Sequence, residues 1–354
     1  MKGNEAIAEA AIRYGVDGYF GYPITPQSEV METLMALRPG DTTGMVVLQA
    51  ESETASINMV YGGAGCGKRV MTSSSSPGVS LMQEGLTYLA GAELPCVVVN
   101  VVRGGPGLGT IQPAQSDYFQ TVKGGGHGDY KLITLAPASV QEMADFVELS
   151  FELAFKYRNP VMILSDGVIG QMMEKVELAE QKPRWTEEYI NENHPWATTG
   201  KKANRAKNII TSVQLEASVQ EAFNHKLQAK YRKVEENEVL FEEVMCDDAE
   251  YLIVAYGSSA RICQKSIEIA REKGIKVGML RPITLYPFPT EQLMKRAKQV
   301  KGMLSVEMSA GQMVEDVKLA VNCSVPVEHF GRFGGSVHSP GEVVEALEQK
   351  LIGG

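Results

Sequence analysis

Apolar residues recur at helical spacing through Ala6, Ile7, Ala10, Ala11 and Tyr14, and Gly15 follows as a stop. Residues 3–14 are therefore predicted as an amphipathic helix. GYFGYP then reads as a short strand, and Pro26 with Gln27-Ser28-Glu29 opens a helix over 27–37. GMVVLQA (44–50) is almost continuously apolar, the pattern of a strand in a sheet covered on both faces. ESETASINMVYGGAGC reads as a helix ending in glycines. RVMTSSSS is a strand running into a Pro77-Gly78 turn, and VSLMQEGLTYLAGAEL is a helix. PCVVVNVVR is the most strongly β-like run in the chain. A glycine-rich stretch over 104–128 precedes the strand KLITLAP, a helix over 139–157 and the strand PVMILSDG. Strands alternating with helices imply βαβ units and a mostly parallel sheet with helices on both faces.

After Glu174 the composition shifts. Residues 182–246 hold QKPRWTEEYINENHPW, the basic GKKANRAK and a polar helical pattern over 213–245. This is a connector, read either as a solvated helical hairpin or as a binding surface. The alternation restarts with YLIVAYGSS, a helix over 259–273, VGMLRPITLYP, a helix over 290–299, GMLSVEMS, a helix over 311–321, PVEHFGRFGG and a helix over 340–351. The expected fold class is α/β, with two doubly wound parallel-sheet domains at 1–181 and 247–354 joined by the connector 182–246.

The chain has 354 residues, 44% apolar and 22% charged, which suits ordinary globular cores. A net charge of −9 argues against a nucleic-acid or anionic-membrane surface. No apolar run approaches the ~20 residues that cross a bilayer. The acidic N-terminal helix does not resemble a signal peptide. The five cysteines, Cys66, Cys96, Cys246, Cys263 and Cys323, form no CxxC pair, which argues against a metal or iron–sulfur site and suits reduced thiols in cytoplasm.

Ligands of open parallel sheets bind beyond the carboxyl ends of the strands. There the first strand offers Tyr22-Pro23-Ile24-Thr25-Pro26. The prolines confine Thr25, which either caps the next helix or presents its hydroxyl to a ligand beside the helix amides. The second strand end offers Glu51 and Glu53, placed for dipole compensation or for a buried acid; Glu53, four residues before Ile57, is the better candidate for burial. The third offers Ser73, Ser74, Ser75 and Ser76, as ligand donors or as a flexible solvated turn. The fourth offers Arg103, closing a strand with five valines, whose fork suits a carboxylate or phosphate. The glycines after it let a ligand approach the backbone. His127 in GGGHGD is a loop residue or a catalyst. There is no Ser-His-Asp set and no metal-ligand cluster, so the constellation asks for an organic cofactor.

Nearly the whole chain resembles the alpha subunits of 2-oxoacid:ferredoxin oxidoreductases, and most of all the branched-chain (2-oxoisovalerate) type. MKGNEAIAEAAI, GYPITPQSEV, QAESE, MTSSSSPG, LMQEG, GAELPCVVVNVVRGGPGLGT, KGGGHGDY, LRPITLYPFP and GQMVEDV carry the resemblance. It implies a thiamine diphosphate enzyme, with a pyrimidine-binding first domain and a last domain like the transketolase C-terminal one. Glu53 would bond N1′ of the aminopyrimidine and so help its amino group take the thiazolium C2 proton. Such a role needs a buried carboxyl with a raised pKa. Glu51 remains an alternative for it. Pro23 and Ser74 would complete the cofactor contacts, and Thr25 and Arg103 would bind the 2-oxoacid.

The usual diphosphate motif, GDG with a downstream asparagine pair, is missing; SDG at 165–167 lacks the first glycine. The resemblance therefore implies a half-site, with no metal on this chain. A beta subunit would carry diphosphate, Mg²⁺ and a [4Fe-4S] cluster, and a ferredoxin-like subunit is expected beside it. The implied reaction is oxidative decarboxylation of a 2-oxoacid to acyl-CoA and CO₂, with coenzyme A as acceptor and ferredoxin reduced. The alternatives are a 2-oxoglutarate-specific alpha subunit, half of a non-redox thiamine diphosphate enzyme, or a non-catalytic scaffold of the same fold.

Overall fold

The structure is a computed structural model and describes residues 1–201 and 205–353; the middle of GKKANRAK lies outside the described residues. Among the described residues, twelve strands form two sheets. They are β1 (Gly18–Gly21), β2 (Val46–Gln49), β3 (Val70–Ser74), β4 (Cys96–Val102), β5 (Ile133–Leu135), β6 (Pro160–Asp166), β7 (Phe241–Val244), β8 (Tyr251–Ala255), β9 (Val277–Pro282), β10 (Thr284–Tyr286), β11 (Gly302–Glu307) and β12 (Val327–Gly331). The first sheet runs β10-β5-β6-β4-β3-β1-β2 and the second β12-β11-β8-β9-β7. All pairs are parallel except β10 with β5 and β7 with β9. No described helix is long and apolar enough to cross a membrane.

The valine run sits where its composition requires. β4 is the central strand of seven, every residue buried, with helices covering both faces. β2 departs from expectation. It closes the sheet, and Val46 and Leu48 are 51% and 43% exposed. Its apolar run therefore lacks the two-sided cover that the pattern predicts.

Two further readings change in the second half. The polar helical pattern ends at Asn237, and Phe241–Val244 is a strand rather than more helix. Long-range pairing overrides local pattern here: Glu242 meets Arg281 at 3.1 Å, and Glu243 meets Arg296 at 2.6 Å. The connector thus lends β7 to the second sheet. VGMLRPITLYP is two strands, not one. It breaks at Ile283, so β9 stays in the second sheet while Thr284–Tyr286 crosses to pair with β5 of the first.

Polar groups tie the two halves together at the strand ends. Asp166 Oδ1 accepts from the amides of Val168 and Ile169, and its Oδ2 accepts from the Ser258 hydroxyl at 2.7 Å. Burial pushes the Asp166 carboxyl above the usual range, although Ser258 and the amides pull it back. Gln115 is buried and exchanges bonds with Met308, Ser259 and Tyr256. The buried Glu307 gathers the amides of Gln312, Met313 and Val314, and so orders the loop that Gln115 grips.

His338 is 3% exposed, both ring nitrogens lack a partner, and burial lowers its pKa from 6.5 to about 4. Between those values the unfolded chain takes up a proton that the folded chain refuses, so stability falls as pH drops from ~6.5 to ~4. At ~1.4 kcal/mol per unit, this contribution is on the order of 3 kcal/mol. Denaturant unfolding at pH 7 and pH 4.5 should show H338L losing that part of the acid sensitivity; an unchanged slope would contradict the assignment.

Candidate functional site

β1 ends at Gly21, and Tyr22–Pro26 leads into the helix Ser28–Leu37. The cap of that helix is Gln27, so Thr25 does not serve as its N-cap. Thr25 and Pro23 are exposed, and no described residue hydrogen-bonds the Thr25 hydroxyl. Arg103 comes to the same place from the end of β4. It is 8% exposed; its Nη1 donates to the Thr25 carbonyl at 3.0 Å and its Nη2 to the Leu108 carbonyl at 3.1 Å. The fork expected to be free is thus partly committed to the backbone, while its Nε is buried without a partner. No carboxylate among the described residues pairs with this guanidinium, so the place suits an anion.

The two acids separate clearly. Glu51 is exposed and Glu53 is buried. Ser52 caps the helix Glu53–Gly65 by accepting from the Ala55 amide at 3.2 Å, and this turns Glu53 inward. No described residue hydrogen-bonds the Glu53 carboxylate. The serine run is no solvated turn: Ser73, Ser74 and Ser75 are fully buried. Pro77 and Gly78 lie in the first turn of the helix Ser76–Gly91 instead of forming a separate turn. Ser73 is used by the fold, bonded to Gln27 and Tyr19. The hydroxyls of Thr72, Ser74 and Ser75 have no partner. Ser74 and Glu53 converge on Gly78, where an added Cβ would lie 2.1 Å from Ser74 Oγ and 2.5 Å from Glu53 Oε1.

Several contributors carry weak sequence signals. Asn100 interrupts the valine run and donates to Asp117 at 2.9 Å. Asp117, held also by Ser76, is pushed above the usual carboxyl range by burial. Ser76 in turn bonds both the amide and the carbonyl of Arg103. An amide inside an apolar strand was the clue for Asn100; Asp117 sits in a loop with none. Asn4 and Gln171 reach the YPITP turn from the two distant segments that flank it. The glycines after Arg103 serve partly to admit protein. A Cβ on Gly104 would lie 2.9 Å from the Gly335 amide, so this loop touches the loop after β12 backbone to backbone. His127 is not brought to the cluster. It is exposed and packs edge-on against Tyr88, ten residues (about 15 Å of helix) beyond Gly78.

G78A fills the space that Glu53 and Ser74 share. Gly78 is buried and the added Cβ would press on Ser74 and Glu53, so the assembled protein should stay intact at a lowered thermal midpoint. It should nevertheless lose at least tenfold in affinity for thiamine diphosphate by calorimetric titration. Undiminished affinity would show that the space is not used.

The chain matches the family described as pyruvate flavodoxin/ferredoxin oxidoreductase, thiamine diphosphate-binding, over residues 9–244. Residues 249–343 match pyruvate:ferredoxin oxidoreductase core domain II. It is 50% identical to the ketoisovalerate oxidoreductase subunit VorB of Methanothermobacter thermautotrophicus, over 99% of this chain and 97% of that one. It is 36% identical to the 2-oxoglutarate synthase subunit KorA of Archaeoglobus fulgidus, over 99% of both. A solved 2-oxoglutarate:ferredoxin oxidoreductase from Magnetococcus marinus superimposes with a TM-score of 0.85 at 27% identity, over 99% of this chain and 65% of that chain. A split-gene transketolase superimposes at 0.60 and 11% identity, over 99% and 98%, a likeness of fold alone.

Proposed function

This chain belongs to the 2-oxoacid:ferredoxin oxidoreductase family, and we propose that it supplies the pyrimidine-binding half of a thiamine diphosphate site that oxidatively decarboxylates a branched-chain 2-oxoacid. The observation that carries this is the Glu53 carboxylate, buried, unpaired and facing the unpartnered Ser74 hydroxyl across Gly78. Those groups fit an aminopyrimidine, a flat ring that needs one acid at a ring nitrogen and a close backbone approach. The bound cofactor supplies the carbanion chemistry that no side chain here provides.

Glu53 would hydrogen-bond the ring nitrogen of the pyrimidine. Ser74 and Pro23 would hold the ring. Arg103 draws the substrate carboxylate, and the Thr25 hydroxyl donates to its carboxylate or carbonyl oxygen. Leu108 and Ile111 stand 83% and 56% exposed in the loop whose Leu108 carbonyl accepts from Arg103. Exposed apolar side chains in the loop beside a carboxylate binder suit an aliphatic substrate, and so does the 50% identity to a ketoisovalerate oxidoreductase subunit. A 2-oxoglutarate specificity is the second reading, favoured by the 36% identity to a 2-oxoglutarate synthase subunit.

No group of three or more metal-capable side chains occurs among the described residues. We assign the diphosphate, Mg²⁺ and a [4Fe-4S] cluster to a beta subunit and further electron carriage to a ferredoxin-like subunit. Coenzyme A is the acyl acceptor and ferredoxin the electron acceptor, in the cytoplasm.

In the reconstituted complex, E53Q should lower kcat by at least ~100-fold with assembly intact, and 2-oxoisovalerate should exceed 2-oxoglutarate in kcat/KM. Full turnover by E53Q would refute the cofactor assignment, and a preference for 2-oxoglutarate would replace the substrate.

A further inference from the structure

We propose that Asn4, acting with Gln171 and Glu29, is a positioning residue for Thr25, an inference that rests on the reading of Thr25 as a substrate contact. Four of the five carbonyls from Tyr22 to Pro26 are held. The Gln27 side chain donates to Tyr22 at 3.1 Å, and the Gln27 amide donates to Ile24 at 3.0 Å. Arg103 takes the Thr25 carbonyl at 3.0 Å. Asn4 Nδ2 donates to the Pro26 carbonyl at 2.7 Å, and Gln171 Nε2 reaches the same oxygen at 2.9 Å. The two carbonyls on either side of the Thr25–Pro26 bond are thus gripped by different elements, while the Thr25 hydroxyl stays exposed and unbonded. A turn held by its backbone with the Thr25 hydroxyl left free is arranged for presentation, because a side chain can be placed to within a fraction of an ångström only if its own backbone cannot shift.

Glu29 keeps the two amides aimed. Its carboxylate accepts from Asn4 Nδ2 at 3.0 Å and from Gln171 Nε2 at 2.8 and 2.9 Å, and Lys2 Nζ lies at 3.2 Å. An anion in contact with both amide nitrogens orients each so that a remaining N–H points at Pro26. Lys2 also donates to the Gln171 carbonyl oxygen at 3.0 Å, which fixes that amide the same way round. Asn4 is fully buried and its Oδ1 has no partner, so its amide group is held there solely as a donor. Burying a half-satisfied amide is unfavourable. A leucine would fill the volume without that penalty, which argues that the donor has a use beyond packing.

The test is a double-mutant cycle in the intact reconstituted complex, with T25V, N4L and the pair. T25V and N4L should each raise KM for the 2-oxoacid roughly tenfold, with kcat and thiamine diphosphate affinity changed much less. In the T25V background, N4L should add nothing further to KM. If T25V raises KM but N4L has no effect, or acts by the same factor in the T25V background, positioning is overturned and the Thr25 reading survives. If T25V leaves KM unchanged, the Thr25 reading falls and the positioning inference with it. Should N4L fail to assemble, Q171L enters the same cycle with the same expected and overturning results.

Discussion

The site depends on one acid without an internal partner: Glu53 is largely covered, and no described residue donates a hydrogen bond to its side chain. The capped helix that begins at Glu53 holds it there. The buried serines of β3 and the bare backbone of Gly78 enclose it without satisfying it. An acid without an internal partner is left available to a group from outside the chain. Around it, the acid and the serine that meet at Gly78, a cation at Arg103 and a free hydroxyl at Thr25 lie at the same end of one parallel sheet.

The parallel sheet makes the convergence possible. β1, β3 and β4 are neighbours running the same way, so their following loops emerge side by side. Residues far apart in sequence therefore meet with little freedom to separate. The second half of the chain stiffens this edge. It adds β10 to the far side of the first sheet, and the grip on Gln115 fixes the loop that returns from Arg103. The contact between Gly104 and Gly335 lets the last sheet brace the loop beside the site. At the other end of the sheet Val46 and Leu48 of the edge strand β2 stay exposed.

Much of this was legible before the structure. The alternation of apolar strands and amphipathic helices specified two α/β units, and the YPITP, QAESE and VVR stretches marked three strand ends. The spacing to Ile57 already favoured Glu53 over Glu51 for burial, and the Ser52 cap sets the helix phase that buries Glu53 and leaves Glu51 exposed. The split of VGMLRPITLYP and the β7 strand were hidden because both depend on partners more than thirty residues away. Asp117 was hidden for the same reason: a carboxyl in a loop has no periodicity to betray its burial.

What the chain determined by itself is the set of local elements and the chemical groups at their ends, since hydrophobic period, proline and glycine act over a few residues. What tertiary structure alone decided is which groups are used up and which are left free. Arg103 turned out to hold the backbone of Thr25, Asn4 and Gln171 turned out to share the carbonyl of Pro26, and Ser74 was left over where Ser73 was not. Hydrogen-bond satisfaction is a property of neighbours in space, and a linear sequence does not state who those neighbours are.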